Sequence, residues 1–304
     1  MTPRAPRLVA LAIAAAIVSP AAGQTTFRST KAIVAVGVSV KRGNAVVANL
    51  RAADFALTDN GVPQTVESVS IESVPIDVTL FLDTSGSTAG KLDEMRHDVQ
   101  TALQLLRAGD RFRLLTIGDT VNEAVPWVPA GTRVSPHIEA VGGISLIHDA
   151  LMFGLVHRPG PGRRHLIVGM TDRQDCGSVI PVSLVFELAG RSDAVMHLVD
   201  YAGGSENANY RIRTCSPQAR PDGEQILRLA AERTGGQQHE QSRFFRASSI
   251  ARAFRAIFDD FRQSYVLQYS PAGVDTPGWH AIAVTVPAVK NATVRARQGY
   301  YAGP

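Results

Sequence analysis

The sequence predicts an α/β protein: a Rossmann-like, doubly wound parallel sheet inserted in a β-sandwich-like module built from N- and C-terminal strands. Three observations carry this. Ile76–Leu82, Phe112–Ile117, His165–Met170 and Val195–Val199 are apolar at nearly every position, as strands are when helices cover both faces of a parallel sheet. Apolar stripes at helical spacing lie among and after these runs. The stretches before Ile76 and after Gln263 hold strand patterns and turn residues without helical periodicity.

Composition limits the classes available. The chain has 304 residues, 45% of them hydrophobic and 19% charged. It is too apolar for disorder and long enough to bury a sizeable core. A net charge of +4 without a long Lys/Arg run provides no basic face, so no nucleic-acid partner is expected. Two cysteines exclude a disulfide-dense scaffold and a four-cysteine zinc site.

Residues 1–23 read as a signal peptide. Arg4 and Arg7 precede the apolar run Leu8–Val18, and Ser19, Pro20, Ala21, Ala22 and Gly23 follow it. That is the charged, apolar and small-residue order of a secretory leader. The run is short for a membrane span; the alternative is an uncleaved anchor. The mature chain, with no transmembrane segment expected, would be secreted or periplasmic. In an oxidising compartment Cys176 and Cys215 are expected to pair, two unpaired thiols being the alternative.

Residues 24–75 form the N-terminal β segment. Ala32–Val40 alternates, and Asn44–Leu50, Phe55–Thr58 and Thr65–Ile71 follow, with turns at Lys41–Asn44 and Asp59–Gly61. Residues 76–263 form the α/β domain. Leu92, Met95, Val99, Leu103 and Leu106 mark its first helix, which Gly109 can end. A segment around Leu146–Leu151 reads as helical. Ile226–Ala231 is a further helix closed by Gly235–Gly236, and Ile250, Phe254, Ile257, Phe258 and Phe261 make the last stripe. Tyr201–Gly223 reads as a surface loop. Residues 264–304 return to strands at Tyr265–Tyr269, His280–Val286 and Ala292–Arg297, expected to pair with residues 24–75.

Ligands of open α/β sheets bind beyond the carboxyl ends of the strands. After Ile76–Leu82 comes Asp83–Thr84–Ser85–Gly86–Ser87–Thr88, and after His165–Met170 comes Thr171–Asp172. Between them Gly142–Gly143 precedes Ser145. Asp83, Ser85, Ser87, Ser145 and Asp172 offer two carboxylates and three hydroxyls. Oxygen-only donors suit a hard cation, Mg²⁺ first, with Mn²⁺ or Ca²⁺ as alternatives.

D-x-S-x-S after a buried strand, a later hydroxyl and T-D after another strand resemble the metal-ion-dependent adhesion site (MIDAS) of von Willebrand factor type A (vWA) domains. The whole layout is similar to secreted bacterial VWFA-related proteins. Asp54–Phe55 through Gly61 and Gln64, the Asp83–Ser87 loop, Tyr265–Pro271 and Gly299–Tyr300 carry that likeness. The resemblance implies that Ser85, Ser87 and Ser145 hold the ion directly, while Asp83 and Asp172 help through water. Ser145 stands where the family usually has threonine, and Arg173 where it usually has glycine. The implied function is adhesion-type binding, the ion accepting an Asp or Glu carboxylate of a protein partner.

The rival readings are a metal-independent structural protein of the cell envelope and a hydrolase. Gly86–Ser87–Thr88–Ala89–Gly90–Lys91 fails as a phosphate-binding loop, because its glycines are one residue too close and Leu92 follows the lysine. No nucleophile–base set is recognisable, so no enzyme activity is expected. His148 and His157, nine apart on one predicted helix, cannot share a metal.

Overall fold

The computed structural model describes residues 33–71, 73–86, 88, 91–139, 144–200, 221–239 and 248–303, without the side chains of 221, 222 and 248–250. The expected leader, Ser87, Cys215 and most of the loop expected at 201–223 lie outside the described residues.

The chain opens with β1 (Val34–Arg42), β2 (Ala45–Val46), β3 (Ala56–Asp59), β4 (Val62–Gln64) and β5 (Ser68–Ser70). It then enters the α/β domain. There β6 (Ile76–Asp83), α1 (Leu92–Gln104), β7 (Arg111–Ile117), β8 (Val121–Pro129), α2 (Ile147–Leu155), β9 (Arg164–Thr171), α3 (Val182–Arg191), β10 (Val195–Asp200), α4 (Pro221–Arg233), β11 (Gln238–His239) and α5 (Ser248–Gln263) follow in order. The chain closes with β12 (Tyr265–Tyr269), β13 (Gly278–Thr285), β14 (Thr293–Ala296) and β15 (Gly299–Ala302).

The central sheet runs β11-β10-β9-β6-β7-β8. Its pairs are parallel except β7 with β8. Strand order therefore reverses at β6 and β9, the switch point where such sheets bind ligands. The two-residue strand period sorts the core. Ile76, Val78, Leu80 and Leu82 of β6 pack with Met95 and Val99 of α1 and with Phe254, Ile257, Phe258 and Phe261 of α5. Phe81 points the other way, into a cluster with Ile147 and Leu151 of α2, Val185 of α3 and Leu227 of α4. Helices thus cover both faces.

The two ends of the chain interleave in a sandwich. One sheet runs β14-β1-β12-β5, with β2 on β1; the other runs β15-β13-β3-β4. Each mixes strands from before and after the α/β domain. Val36, Val38, Leu57, Tyr265, Leu267 and Ile282 share its core. Asp260 of α5 fastens the sandwich to the α/β domain, accepting from Ser39 and pairing with Lys41 of β1 and Arg295 of β14. Burial works against that carboxyl's charge, yet Arg295, Lys41 and Ser39 hold its pKa below the usual range.

Several elements differ from the sequence reading. The strand expected at Asn44–Leu50 is only β2, because Asn49 adopts φ 63° and turns the chain. The strand expected at Thr65–Ile71 shortens to β5. Residues 221–223 open α4 rather than a loop, Pro221 sitting in the first helical turn, where its missing N–H costs nothing. His157 lies past the end of α2, so His148 and His157 do not share a helix. Strand β8 and helix α3 are additional. Among the described residues no helix is long and apolar enough to cross a membrane.

Candidate functional site

Three loops meet at the switch point. The first leaves β6 at Asp83, which is fully buried. One of its carboxylate oxygens, Oδ1, accepts the Ser85 N–H at 3.1 Å. The other, Oδ2, accepts the Thr171 hydroxyl from the end of β9 at 2.8 Å. The Ser85 side chain bonds to Asp83 as well. Thr84 anchors the loop sideways, donating its N–H and hydroxyl to the Ile117 carbonyl at the end of β7. Thr88 closes it from below, its hydroxyl bonding to the Asp83 and Ser85 carbonyls at 2.8 and 2.9 Å. The loop shape is thus set by hydroxyls that the D-x-S-x-S pattern does not include.

The second loop carries Ser145. Asp119 accepts the Ile144 N–H at 2.8 Å, and the Ser145 carbonyl accepts the Cys176 N–H at 2.9 Å. The Ile144 side chain lies over Gly177, where an added Cβ would stand 2.6 Å from it. Ser145 is 3% exposed, and its hydroxyl has no hydrogen-bond partner among the described residues. A buried hydroxyl without a partner is costly.

The third loop begins at Thr171–Asp172. Asp172 Oδ1 accepts the Gln174 N–H at 3.0 Å, an Asx turn. Arg173 has φ 64°, the left-handed region that favours glycine; this is the physical content of the family's glycine at that position. Its N–H donates to the Thr171 hydroxyl. Its guanidinium pairs with Asp200 at 2.8 Å and with Glu224 at 3.4 Å, so its charge is compensated beside the site. Beyond it, Asp175 accepts the His148 N–H and binds Ser178. Asp149 accepts the Val179 and Ile180 N–H groups at 3.2 and 2.8 Å. These two carboxylates brace the loop that carries Cys176.

The structure therefore brings Asp83, Ser85 and Asp172 together, and ties the Ser145 loop to the third loop through Cys176 and Gly177. Ser87 is not among the described residues. Burial first, and the Asp172 charge second, push the Asp83 carboxyl up to about 6. The side-chain donors of these loops are all oxygens, the kind that a hard divalent ion takes. Thr88, Asp149 and Asp175 were not singled out as site residues from the sequence. Their signal was available as hydroxyl or carboxylate residues in the same loops, but nothing local marks them as braces.

No family model matches the chain, and no curated protein matches it. Solved structures do resemble it. A von Willebrand factor type A protein from Catenulispora acidiphila aligns over 91% of this chain and 64% of its own, at 12% identity and TM-score 0.48. The chain thus spans less than two thirds of that protein. The ArnB paralog VWA2 from Sulfolobus acidocaldarius aligns over 86% of this chain and 75% of its own, at 10% identity and TM-score 0.47. Proximal thread matrix protein 1 from the mussel byssus, with a zinc-occupied MIDAS motif, aligns over 43% and 37%, at 16% identity and TM-score 0.34. Identities this low speak only of fold, and none of these three scores reaches 0.5. Strand order, helices on both sheet faces and the three loops at the β6/β9 switch point make residues 76–263 a Rossmann-like domain with a vWA-type fold.

Proposed function

We propose that the chain is a binding protein with a MIDAS-type centre, not an enzyme. Asp83, Ser85, Ser87, Ser145 and Asp172 would hold a divalent cation, Mg²⁺ in first place and Mn²⁺ or Ca²⁺ as substitutes. The ion supplies a Lewis-acidic position for a carboxylate from an Asp or Glu of a protein partner. The observation that carries this reading is the pairing of two carboxylates, Asp83 and Asp172, whose like charges and burial raise the Asp83 carboxyl, together with the buried Ser145 hydroxyl that has no partner among the described residues.

The chain's own residues have separate tasks. Asp83 and Asp172 supply negative charge in a poorly solvated place, where it acts strongly. Thr171 and Ser85 hold the Asp83 carboxylate in one orientation. Thr88 fixes the curvature that presents the first loop. Arg173, turned to Asp200 and Glu224, keeps its charge away from the donors. We further propose that residues 1–23 direct secretion and that a Cys176–Cys215 disulfide pins the loop beside the site; non-reducing peptide mapping that recovers both thiols free would remove the bridge.

Mn²⁺ binding to the chelated protein, followed by loss of the free-ion EPR signal, tests the centre. One site per chain is expected, weakened at least about tenfold in Ser145→Ala and lost in Asp83→Ala. Undiminished binding in both variants would place any ion elsewhere and leave the structural envelope role in front.

A further inference from the structure

The far end of the sheet holds a second concavity. A cleft of about 790 Å³ lies where the amino ends of β9 and β10 meet the sandwich strands β1 and β12. Measured by strand rise over the eight residues of β9, it sits about 25 Å from the switch-point loops. Its charged walls are Arg158, Arg163, Arg164, Arg191 and Arg297 against Asp193 alone. Arg163 is paired with the buried Asp77 behind the wall and Arg297 with Asp193, and the remaining arginines leave the cleft positively charged.

The arginines divide into two groups. Arg163 is tied to Asp77. Arg164 donates to the Phe261 carbonyl and the Ser264 hydroxyl, and Arg297 to the Gly190 and Ser192 carbonyls. These build the walls. Arg158 and Arg191 are different: both are exposed, and among the described residues neither has a carboxylate or other acceptor. The Arg191 Cζ sits over the Tyr301 ring, 3.8 Å from its centroid, a contact that restrains the guanidinium. Arg158 stands between His157, whose ring stacks on Trp127 at 4.8 Å, and the Pro159–Gly160–Pro161–Gly162 turn. Prolines and stacking limit the chain's freedom, so less order must be imposed on binding. Leu188, Phe261 and Val266 add apolar surface.

The geometry points to a second ligand site in this cleft, for a small organic anion that carries two carboxylate or phosphate groups on an apolar body. Guanidinium forks match the planar oxygens of such groups. The volume lies in the range of small-molecule pockets, where apolar walls and a few placed polar groups share recognition. The site is independent of the metal centre, because no residue is common to both.

Thermal shift in EDTA at constant ionic strength tests it, with benzene-1,3-dicarboxylate, inorganic phosphate and neutral benzamide as probes. The dicarboxylate is expected to raise the melting temperature saturably, by roughly 5–10 °C at a hundredfold excess over Kd. Benzamide should do nothing. Arg158→Gln with Arg191→Gln should weaken the effect at least about tenfold while leaving the ligand-free melting temperature in place, since both side chains are exposed. Asp83→Ala should retain it. No saturable shift with either anion, or an unchanged shift in the double arginine variant, would overturn the proposal. Phosphate acting as strongly as the dicarboxylate would overturn the apolar body.

Discussion

Asp83 decides most at the scale of single residues. Burial and the nearby Asp172 raise its carboxyl to about 6 from an ordinary 3.8. A raised carboxyl favours the folded state below its unfolded pKa, and that contribution is lost as pH rises through the folded value. In chelator at pH 8, ionised Asp83 therefore costs the protein about 3 kcal/mol. Asp83→Asn should raise apo stability by about 1–3 kcal/mol in urea unfolding while abolishing the metal response; a destabilised apo variant would contradict this account of its burial. His280 has the opposite sign of charge. Its ring nitrogens face Asp59 Oδ1 at 2.8 Å and the Thr276 carbonyl at 2.6 Å. Both partners are acceptors, which favours the doubly protonated ring. Burial opposes that, but the two acceptors raise its pKa. The D-x-S-x-S and T-D residues were legible because strand ends announce them. The compensation of Arg173 by Asp200 and Glu224 was not, since those partners are distant in sequence and meet it only across β10 and α4.

Elements were legible in proportion to their periodicity. The four apolar strands and the stripes of α1 and α5 have one dominant pattern each. Strand β8 does not: Pro126 and Pro129 interrupt it, which an edge strand tolerates. Helix α3 follows Pro181 and contains Val182 and Val185, β-branched residues that obscure a helical reading. Nor did β6 reveal that its opposite face is polar before Phe81. There Asp77 and Thr79 meet Arg111, Arg113 and His165. The join between α5 and the sandwich was equally hidden, because Asp260 finds Ser39, Lys41 and Arg295 only once both ends of the chain are folded. That join carries a prediction at this scale. Asp260→Ala leaves two cations facing a buried gap and should cost about 3–5 kcal/mol in urea unfolding. A loss below about 1 kcal/mol would show that the sandwich and the α/β domain are held by apolar packing instead.

Across the whole molecule, buried histidines set the response to acid. Burial holds His165 down to about 3 and His239 down to about 4, and drives His197 well below its ordinary 6.5. A histidine lowered by folding contributes stability above its unfolded pKa, and that stability drains away as pH falls from about 6.5 towards the folded value. Each costs about 2 kcal/mol by pH 5, and the raised groups Asp83 and His280 offset part of it. Stability should therefore fall by roughly 3–5 kcal/mol between pH 7 and pH 5, read as a shift in urea midpoint; an unchanged midpoint would mean these rings are not dry. The same molecule keeps its proposed metal centre at one end of the sheet and its arginine cleft at the other. The overall architecture was legible because two helix-free ends flanked one periodic domain; the cleft was not, because its arginines come from a loop, the start of β9, the end of α3 and the final turn. The most direct measurement is a thermal-shift titration of chelated protein with Mg²⁺ at pH 7.5, Asp83→Ala beside the wild type. The account predicts a saturable rise in melting temperature for the wild type and none for the variant. No rise in either, or an equal rise in both, would contradict a metal centre at Asp83.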